Sequence, residues 1–581
     1  MKKRMTLSHR ATSSVAFLAA LAIFPGAKSI NAQDGGPLDV IPPEYVAQIP
    51  PDVLAQLQAR ADASGGRAAL TTAAIFGLST LGGRSIGSGD GPPGNAGAGK
   101  LTDVPIANTT FEEDEPMVAA NPKDKKFLVA GSHKIGSFPG QGFRVRCAAY
   151  ASSDRGATWS AGVLLQQIQG QCSDPVVAYA PDVSRAYYAY MDVFSQLTFP
   201  GGRPTITERF DILVSHSDDN GATWSAPVVA LVGQTLILKF SPFQIIQPGF
   251  DYDKPWINTH VDAGESNWVY VTATRFNNFT PGLSPIAIHF TRSNNKGASF
   301  AAPATLENAS GNVVIQGSHP AGGVGGDVLV AWYNSGTDGF LIGSFQIHTR
   351  RSSDHGATFD PVVVAATDSF ELPFFLGPLG FYERWWGGMF PSLAIDAGGG
   401  AHIVYTHDPV NPRTPAGFAS AESGDIRYIS SDGPPYIFWS APITVNDDGL
   451  ERAQGYPAIN TQHNGTVDVV WYDHRLSPTL SNSTQFQCFV QGICNSSNLH
   501  YDVFYARKVP GQSGFFDNFR VSDTSSIVQF DFIGDYIGLA ANDTDLFAVW
   551  TDRRNRTSIF QTDNDVFGSR IIAGGATPKG H

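Results

Sequence analysis

The sequence predicts an all-β fold, a β-propeller of four-stranded antiparallel blades, on three observations. One short segment is written four times: Ser152–Trp159 reads SSDRGATW, Ser217–Trp224 SDDNGATW, Ser293–Phe300 SNNKGASF and Ser352–Phe359 SSDHGATF. A short strand, often placed after Pro, opens at Glu115, Asp174, Lys254, His319, Phe390, Tyr456 and Asp535. Its intervals run from 59 residues (Glu115 to Asp174) to 80 residues (Asp174 to Lys254). Finally, 61 Gly and 38 Pro with 11% aromatic residues favour many short strands and turns over helices.

In chain order, Lys2, Lys3 and Arg4, an apolar run from Val15 to Phe24, and Ser29-Ile30-Asn31-Ala32 read as a signal peptide over residues 1–32. Pro25 stops the run short of the roughly 20 apolar residues that span a membrane, and no later segment spans. A secreted or periplasmic protein is expected. The four cysteines fit an oxidising compartment. Their order suggests Cys147–Cys172 and Cys488–Cys494, although four cysteines allow three connectivities. Residues 33–99 read as a spacer: Pro42-Pro43 and Pro50-Pro51 punctuate it, and Ser85 to Gly99 is a Gly/Pro/Ser linker.

Residues 100–572 hold the propeller and 573–581 a short tail. Second strands show at Val328–Trp332, His402–Tyr405, Val467–Trp471 and Leu546–Trp550, and fourth strands at Pro227–Leu231, Pro361–Val364, Pro442–Val445 and Phe519–Ser522. The seventh unit stops at Ile572 without a fourth strand, and Leu101–Asn108 has that strand's character. Lending it from the N-terminus hides the last open edge. The expected ring has seven blades, with six as the alternative count.

The repeated segment is a turn. Asp or Asn bonds nearby backbone N–H groups, Gly takes the left-handed residue, and the aromatic anchors the next strand. The pattern S-x-D-x-G-x-T-[WF] resembles the Asp-box, or bacterial neuraminidase repeat, and the chain resembles the sialidase-like superfamily over residues 100–572. The resemblance implies that Asp154, Asp219, Asn295 and Asp354 belong to the scaffold. They mark the face turned away from the site.

The opposite face holds a slot whose occupant changes from unit to unit. Glu115, Asp174, Lys254, His319, Phe390, Tyr456 and Asp535 stand at the mouths of the first strands and are read as lining a polar central pocket. Loops add Asp251, Asp253, Tyr382, Glu383, Arg384, Trp385, Glu451 and Arg452. Carboxylates, cations and aromatics together suit a carbohydrate. Asp473 and Asp552 recur as W-Y-D-H-R and W-T-D-R-R, which marks their pairs with Arg475 and Arg554 as structural ties.

Catalytic members of the superfamily resemble one another in three arginines that hold the sialic acid carboxylate, a Tyr–Glu nucleophile pair and an Asp acid/base. The resemblance makes Tyr456 or Tyr382 with Glu451 or Glu383, and Asp174, the catalytic candidates. Arg384, Arg452, Arg275, Lys254, His319, Asp253, Asp535 and Trp385 become candidates for substrate binding. Where the family has R-I-P, this chain reads Glu113-Asp114-Glu115-Pro116. A sialidase-type hydrolase, another glycan-active hydrolase or lyase, and a non-catalytic binding propeller are the three readings. A converging arginine triad would mark the first, and carboxylates without one the second. The expected partner is a glycan and the expected state a monomer. A net charge of -13 without a basic block argues against nucleic acid. No pattern indicates a metal or cofactor, a structural calcium ion included.

Overall fold

Short amphipathic runs separated by Gly- and Pro-rich turns have only their neighbours to bury against, and they stack as sheets around an axis. The structure, a computed structural model, describes residues 102–181, 185–239, 244–261, 267–311, 313–336, 344–368, 390–407, 424–448, 454–477, 500–527, 533–542, 545–556 and 564–572. The chain begins with β1 (Val104–Ala107). Blade one is β2 (Met117–Ala120), β3 (Leu128–Phe138), β4 (Gly142–Ser152) and β5 (Val163–Leu164). Blade two is β6 (Gln171–Tyr179), β7 (Ala186–Thr198), β8 (Thr205–Ser217) and β9 (Val228–Leu231), extended by β10 (Leu236–Lys239) and β11 (Gln244–Gln247). Blade three is β12 (Gly249–Val261), β13 (Asn267–Asn278), β14 (Ile286–Ser293) and β15 (Ala304–Asn308). Blade four is β16 (Ile315–Gly322), β17 (Val328–Asn334), β18 (Phe345–Ser352) and β19 (Val363–Asp368).

Blade five is β20 (Ser392–Ile395), β21 (Ala401–His407), β22 (Asp425–Ser431) and β23 (Ile443–Thr444). Blade six is β24 (Gln454–Thr461), β25 (Val467–Asp473), β26 (His500–Lys508) and β27 (Phe519–Arg520), with β28 (Ser526–Ile527) beside β26. Blade seven is β29 (Gly538–Asn542), β30 (Asp545–Asp552) and β31 (Asp565–Ile572), completed by β1. The fold is a seven-bladed propeller, as the repeat count favoured. The β10–β11 extension was not foreseen. No helix among the described residues is long and apolar enough to cross a membrane.

The core lies between blades, where fully buried Trp332, Trp471 and Trp550 stand two residues before the ends of their second strands. Trp471 and Trp550 donate their indole N–H to Asp473 and Asp552, both at 2.7 Å. Arg475 binds Asp473 and reaches Asp447 at 2.8 Å, and Arg554 binds Asp552 and reaches Asp523. These pairs are the ties that their recurrence implied. The Cys147–Cys172 disulfide joins β4 to β6, hence blade one to blade two, across a Cα–Cα distance of 5.5 Å. Cys488 and Cys494 lie outside the described residues.

The four repeated turns share one hydrogen-bond scheme. In the first, the Ser152 hydroxyl accepts the Gly156 N–H at 2.9 Å, and the Asp154 carboxylate accepts the Thr158 N–H at 2.9 Å and its hydroxyl at 2.6 Å. Asp219 and Asp354 repeat this; Asn295 likewise accepts the Ser299 N–H, but its side-chain amide donates to the Ser299 hydroxyl. Gly156 has φ +83° and packs so closely on Phe547 of blade seven that a Cβ would stand 2.0 Å from the ring. The turn thus needs glycine twice, for its backbone and for the blade-to-blade contact. Asp219→Ala is expected to cost about 1–2 kcal/mol of stability through the lost turn bonds. Any turnover, measured well below the melting temperature, should stay at the wild-type value.

Ring closure rests on β1. Val104 and Pro105 pair antiparallel with Gly568 and Phe567. Just before the strand, the Asp103 N–H donates to Asp523, the Asp523 N–H donates back to Asp103 at 2.7 Å, and Arg554 grips both carboxylates at 2.6 Å. Deleting residues 33–99 is expected to leave the ring intact. Deletion through Asn108 removes the strand and its clasp, and should bring aggregation and a lower melting temperature. Equal melting of the two truncations would refute the closure.

Candidate functional site

Each blade brings one inner-strand position to the axis, and in blades two, three, four and six a break in register marks it. Inner strands lose register against their neighbours between Ser173 and Val176, Asp253 and Trp256, Gln316 and His319, and Gly455 and Ala458. Each break is one extra residue, a bulge that turns a side chain out of the strand's alternation. The residues at the bend are left-handed: Glu115 (φ 51°), Asp174 (φ 52°), Lys254 (φ 55°) and Tyr456 (φ 53°), with Gly317 (φ 67°) in blade four. For a non-glycine residue such a backbone costs about 1–3 kcal/mol, and it persists where surrounding contacts enforce it.

Register corrects two of the seven slot assignments. Two residues before the first pairing beyond the bend stand Glu115, Asp174, Lys254, Gly317, Phe390, Tyr456 and Tyr536. His319 therefore lies two residues past its blade's slot, because Pro320 follows the bend later than its counterparts do. A Cβ on Gly317 would stand 2.3 Å from Phe390, whose ring fills that sector. Asp535 occupies the place before the slot, equivalent to Asp253, and Tyr536 the slot itself. Blade seven has no proline there to mark the bend.

These side chains meet. Lys254 sits over the Tyr536 ring at 4.4 Å and the Phe390 ring at 5.7 Å, and donates to Asp535 at 3.1 Å. The Tyr536 hydroxyl donates to the Pro175 carbonyl at 2.9 Å and lies 3.3 Å from Glu115. Gln316 donates to Asp253 at 2.8 Å. Trp256 packs on His319 at 4.5 Å between ring centres. An axial cavity of about 370 Å³ is lined by Lys254, Trp256, His319, Phe390, Tyr456, Asp535 and Tyr536, and by small residues of the inner strands such as Ala119, Ala178 and Ala458; Glu115, Asp174 and Asp253 are not among its lining residues.

The electrostatics are those of crowded carboxyl groups. Burial, then Asp174, pushes Glu115 well above the usual carboxylate range. Burial, then Asp174, lifts Asp253 to about 7. Burial opposes the charge on Lys254, but Asp535, Glu115 and Asp174 hold its pKa above the usual lysine value. Burial lowers His319 to about 3, so it is a neutral wall.

His133 is the residue that the sequence did not flag. Its Nδ1 lies 2.7 Å from Asp114, and its Nε2 accepts the Asp174 N–H at 2.9 Å. Burial would lower this imidazole, and Glu115 and Asp114 oppose that. Because Nε2 accepts the Asp174 N–H, the geometry calls for the neutral ring, with its one proton on Nδ1 toward Asp114. Glu115, His133 and Asp174 have the residue types and spacing of a metal site. The Asp174 N–H occupies the nitrogen that would bind the ion, and Lys254 already supplies a cation, so the set does not fit a metal. A lone histidine inside a strand carries no periodic signal; only its partners reveal it.

The other candidates divide. Tyr456 reaches the slot and packs edge-on against Tyr472 at 6.0 Å. Arg275 donates to the Ser284 carbonyl and hydroxyl at 3.1 Å within its own blade and is not among the cavity's lining residues. Asp251 accepts the Phe210 N–H at 3.0 Å. Tyr382, Glu383, Arg384, Trp385, Glu451 and Arg452 lie outside the described residues, so their place is not part of this geometry.

No family model and no curated protein matches the chain. Among solved structures, a mutant of NanB sialidase from Streptococcus pneumoniae aligns with a TM-score of 0.41 and 10% identity, over 83% of this chain and 99% of that one. An alpha-L-arabinanase from Penicillium chrysogenum complexed with arabinobiose gives 0.41 and 10%, over 82% and 100%. A Dyadobacter fermentans protein described as of unknown function gives 0.39 and 16%, over 65% and 95%. Likenesses this distant have no bearing on the chemistry of the site.

Proposed function

We propose that this chain is a secreted or periplasmic glycan-active hydrolase that works with carboxyl groups at the ring centre, on sugars that carry no negative charge. The observation that carries the reading is the cluster of acidic groups about Lys254, with Asp535 at 3.1 Å from its ammonium and Asp253 held by Gln316 at 2.8 Å; crowding and burial lift Asp253 toward neutrality. Asp253, at about 7, is a proton donor, and the charge of Asp174 helps to keep its proton in place. Asp174 is then the carboxylate that attacks the sugar or activates water, and Asp535, ion-paired with Lys254, accepts hydrogen bonds from hydroxyl groups. Trp256, Phe390 and Tyr536 supply apolar faces to the axial cavity of about 370 Å³, which Lys254 and Asp535 line and which Asp174 and Asp253 do not.

The same inventory disfavours a sialoside. An anionic sugar wants a bidentate arginine grip. Among the described residues no arginine lines the cavity, and the one lysine there is already paired with Asp535. The deciding experiment assays the wild type on aryl sialosides, neutral aryl glycosides and uronic-acid polymers. Cleavage of neutral glycosides is the expected result. Cleavage of sialosides alone would return the sialidase reading, and no cleavage of any class would leave a binding propeller.

A further inference from the structure

We infer that His133 and the Cys147–Cys172 disulfide form a positioning device, built across the junction of blades one and two, that holds Asp174 in its left-handed conformation with its carboxylate at the ring centre. The catalytic consequence rests on the hydrolytic reading above; the structural content does not.

Three restraints converge on Asp174. From blade one, the His133 ring accepts its amide N–H at 2.9 Å, so the peptide plane before Asp174 is fixed from across the interface. His133 is itself held twice by Asp114: its Nδ1 lies 2.7 Å from the carboxylate, and its backbone N–H donates to the Asp114 carbonyl at 2.9 Å. Two residues before Asp174, Cys172 is bonded to Cys147, and Cys147 is the cross-strand partner of His133. Lastly, the Ser173 hydroxyl donates to the Asp174 carboxylate at 2.5 Å. Amide, chain and carboxylate are thus fixed by separate groups.

Blade three shows why help comes from outside. There the residue before the slot is Asp253, whose carboxylate lies against the Lys254 amide and is stabilised by it. In blade two that place is held by Ser173, whose hydroxyl is turned to the Asp174 carboxylate instead. The Asp174 amide then needs another acceptor, and His133 of the neighbouring blade is that acceptor. A left-handed residue preceding Pro175 is doubly disfavoured, so it requires such enforcement. His133 is a positioning residue, with no role in proton transfer.

Two variants test the device. His133→Phe with Asp114→Asn removes the acceptor while keeping ring volume and leaving no buried unpaired carboxylate; Cys147→Ala with Cys172→Ala removes the bolt alone. In crystal structures of the folded variants, residue 174 is expected to leave the left-handed region, with its carboxylate withdrawn from the axis. On a substrate that the wild type cleaves, kcat should fall about a hundredfold with KM changed less than about threefold, since a displacement near 1 Å suffices for that. A positive φ at residue 174 in both variants, with the carboxylate unmoved, overturns the inference. Should the wild type cleave nothing, the hydrolytic reading fails, and the crystal structures still decide the positioning. If the first pair does not fold, the disulfide pair gives the answer by the same measurements.

Discussion

Asp174→Asn should lower kcat on a cleavable glycoside by at least about a thousandfold, with a near-normal KM and an unchanged fold. Asparagine keeps the shape and can still accept from the Ser173 hydroxyl, so the site's architecture survives. What is lost is one negative charge at the axis. That charge helps to hold the proton on Asp253, so its removal lowers the Asp253 pKa from about 7. The alkaline limb of any residual activity should therefore move to lower pH. The pH–rate profiles of both proteins check this. An unmoved limb would separate Asp174 from Asp253, and an unaffected kcat would remove Asp174 from the chemistry.

Much of the fold was legible because repetition amplifies weak signals. One S-x-D-x-G-x-T-W is a turn; four are a scaffold, and the hydrogen bonds of Asp154, Asp219, Asn295 and Asp354 repeat almost atom for atom. The lent strand was legible because a seventh unit without a fourth strand leaves an edge that some other segment has to cover. The β10–β11 extension was not, since it occurs in one blade only. Within the site, proline served as the slot marker where it follows the bend directly, at Asp174, Lys254 and Tyr456. It misled at His319, where the bend is made by Gly317, and it was absent at Asp535. His133 was invisible because its meaning comes from Asp114 and Asp174, which approach it from another segment and another blade.

The largest pH effect should come from Asp253. Its folded pKa of about 7 lies above the roughly 3.9 of an unperturbed aspartate, because burial and then the Asp174 charge favour the neutral form. As general acid it must carry its proton, so wild-type kcat/KM should fall about tenfold per pH unit above 7. Asp253→Asn should lower kcat by about 10²–10⁴-fold for aryl glycosides with poor leaving groups. Dinitrophenyl glycosides, whose leaving group departs without a proton, should be nearly spared. The variant's profile should also lose the limb near 7. Stability gives an independent check, with the sign set by linkage. The folded state favours protonated Asp253, so this contribution is full below pH about 3.9 and is lost as pH rises through 7. Asparagine does not titrate, so the variant's melting temperature relative to wild type should be higher at pH 8 than at pH 4. A limb near 7 that persists in Asp253→Asn would place the acid elsewhere, even if the stability difference appeared as expected.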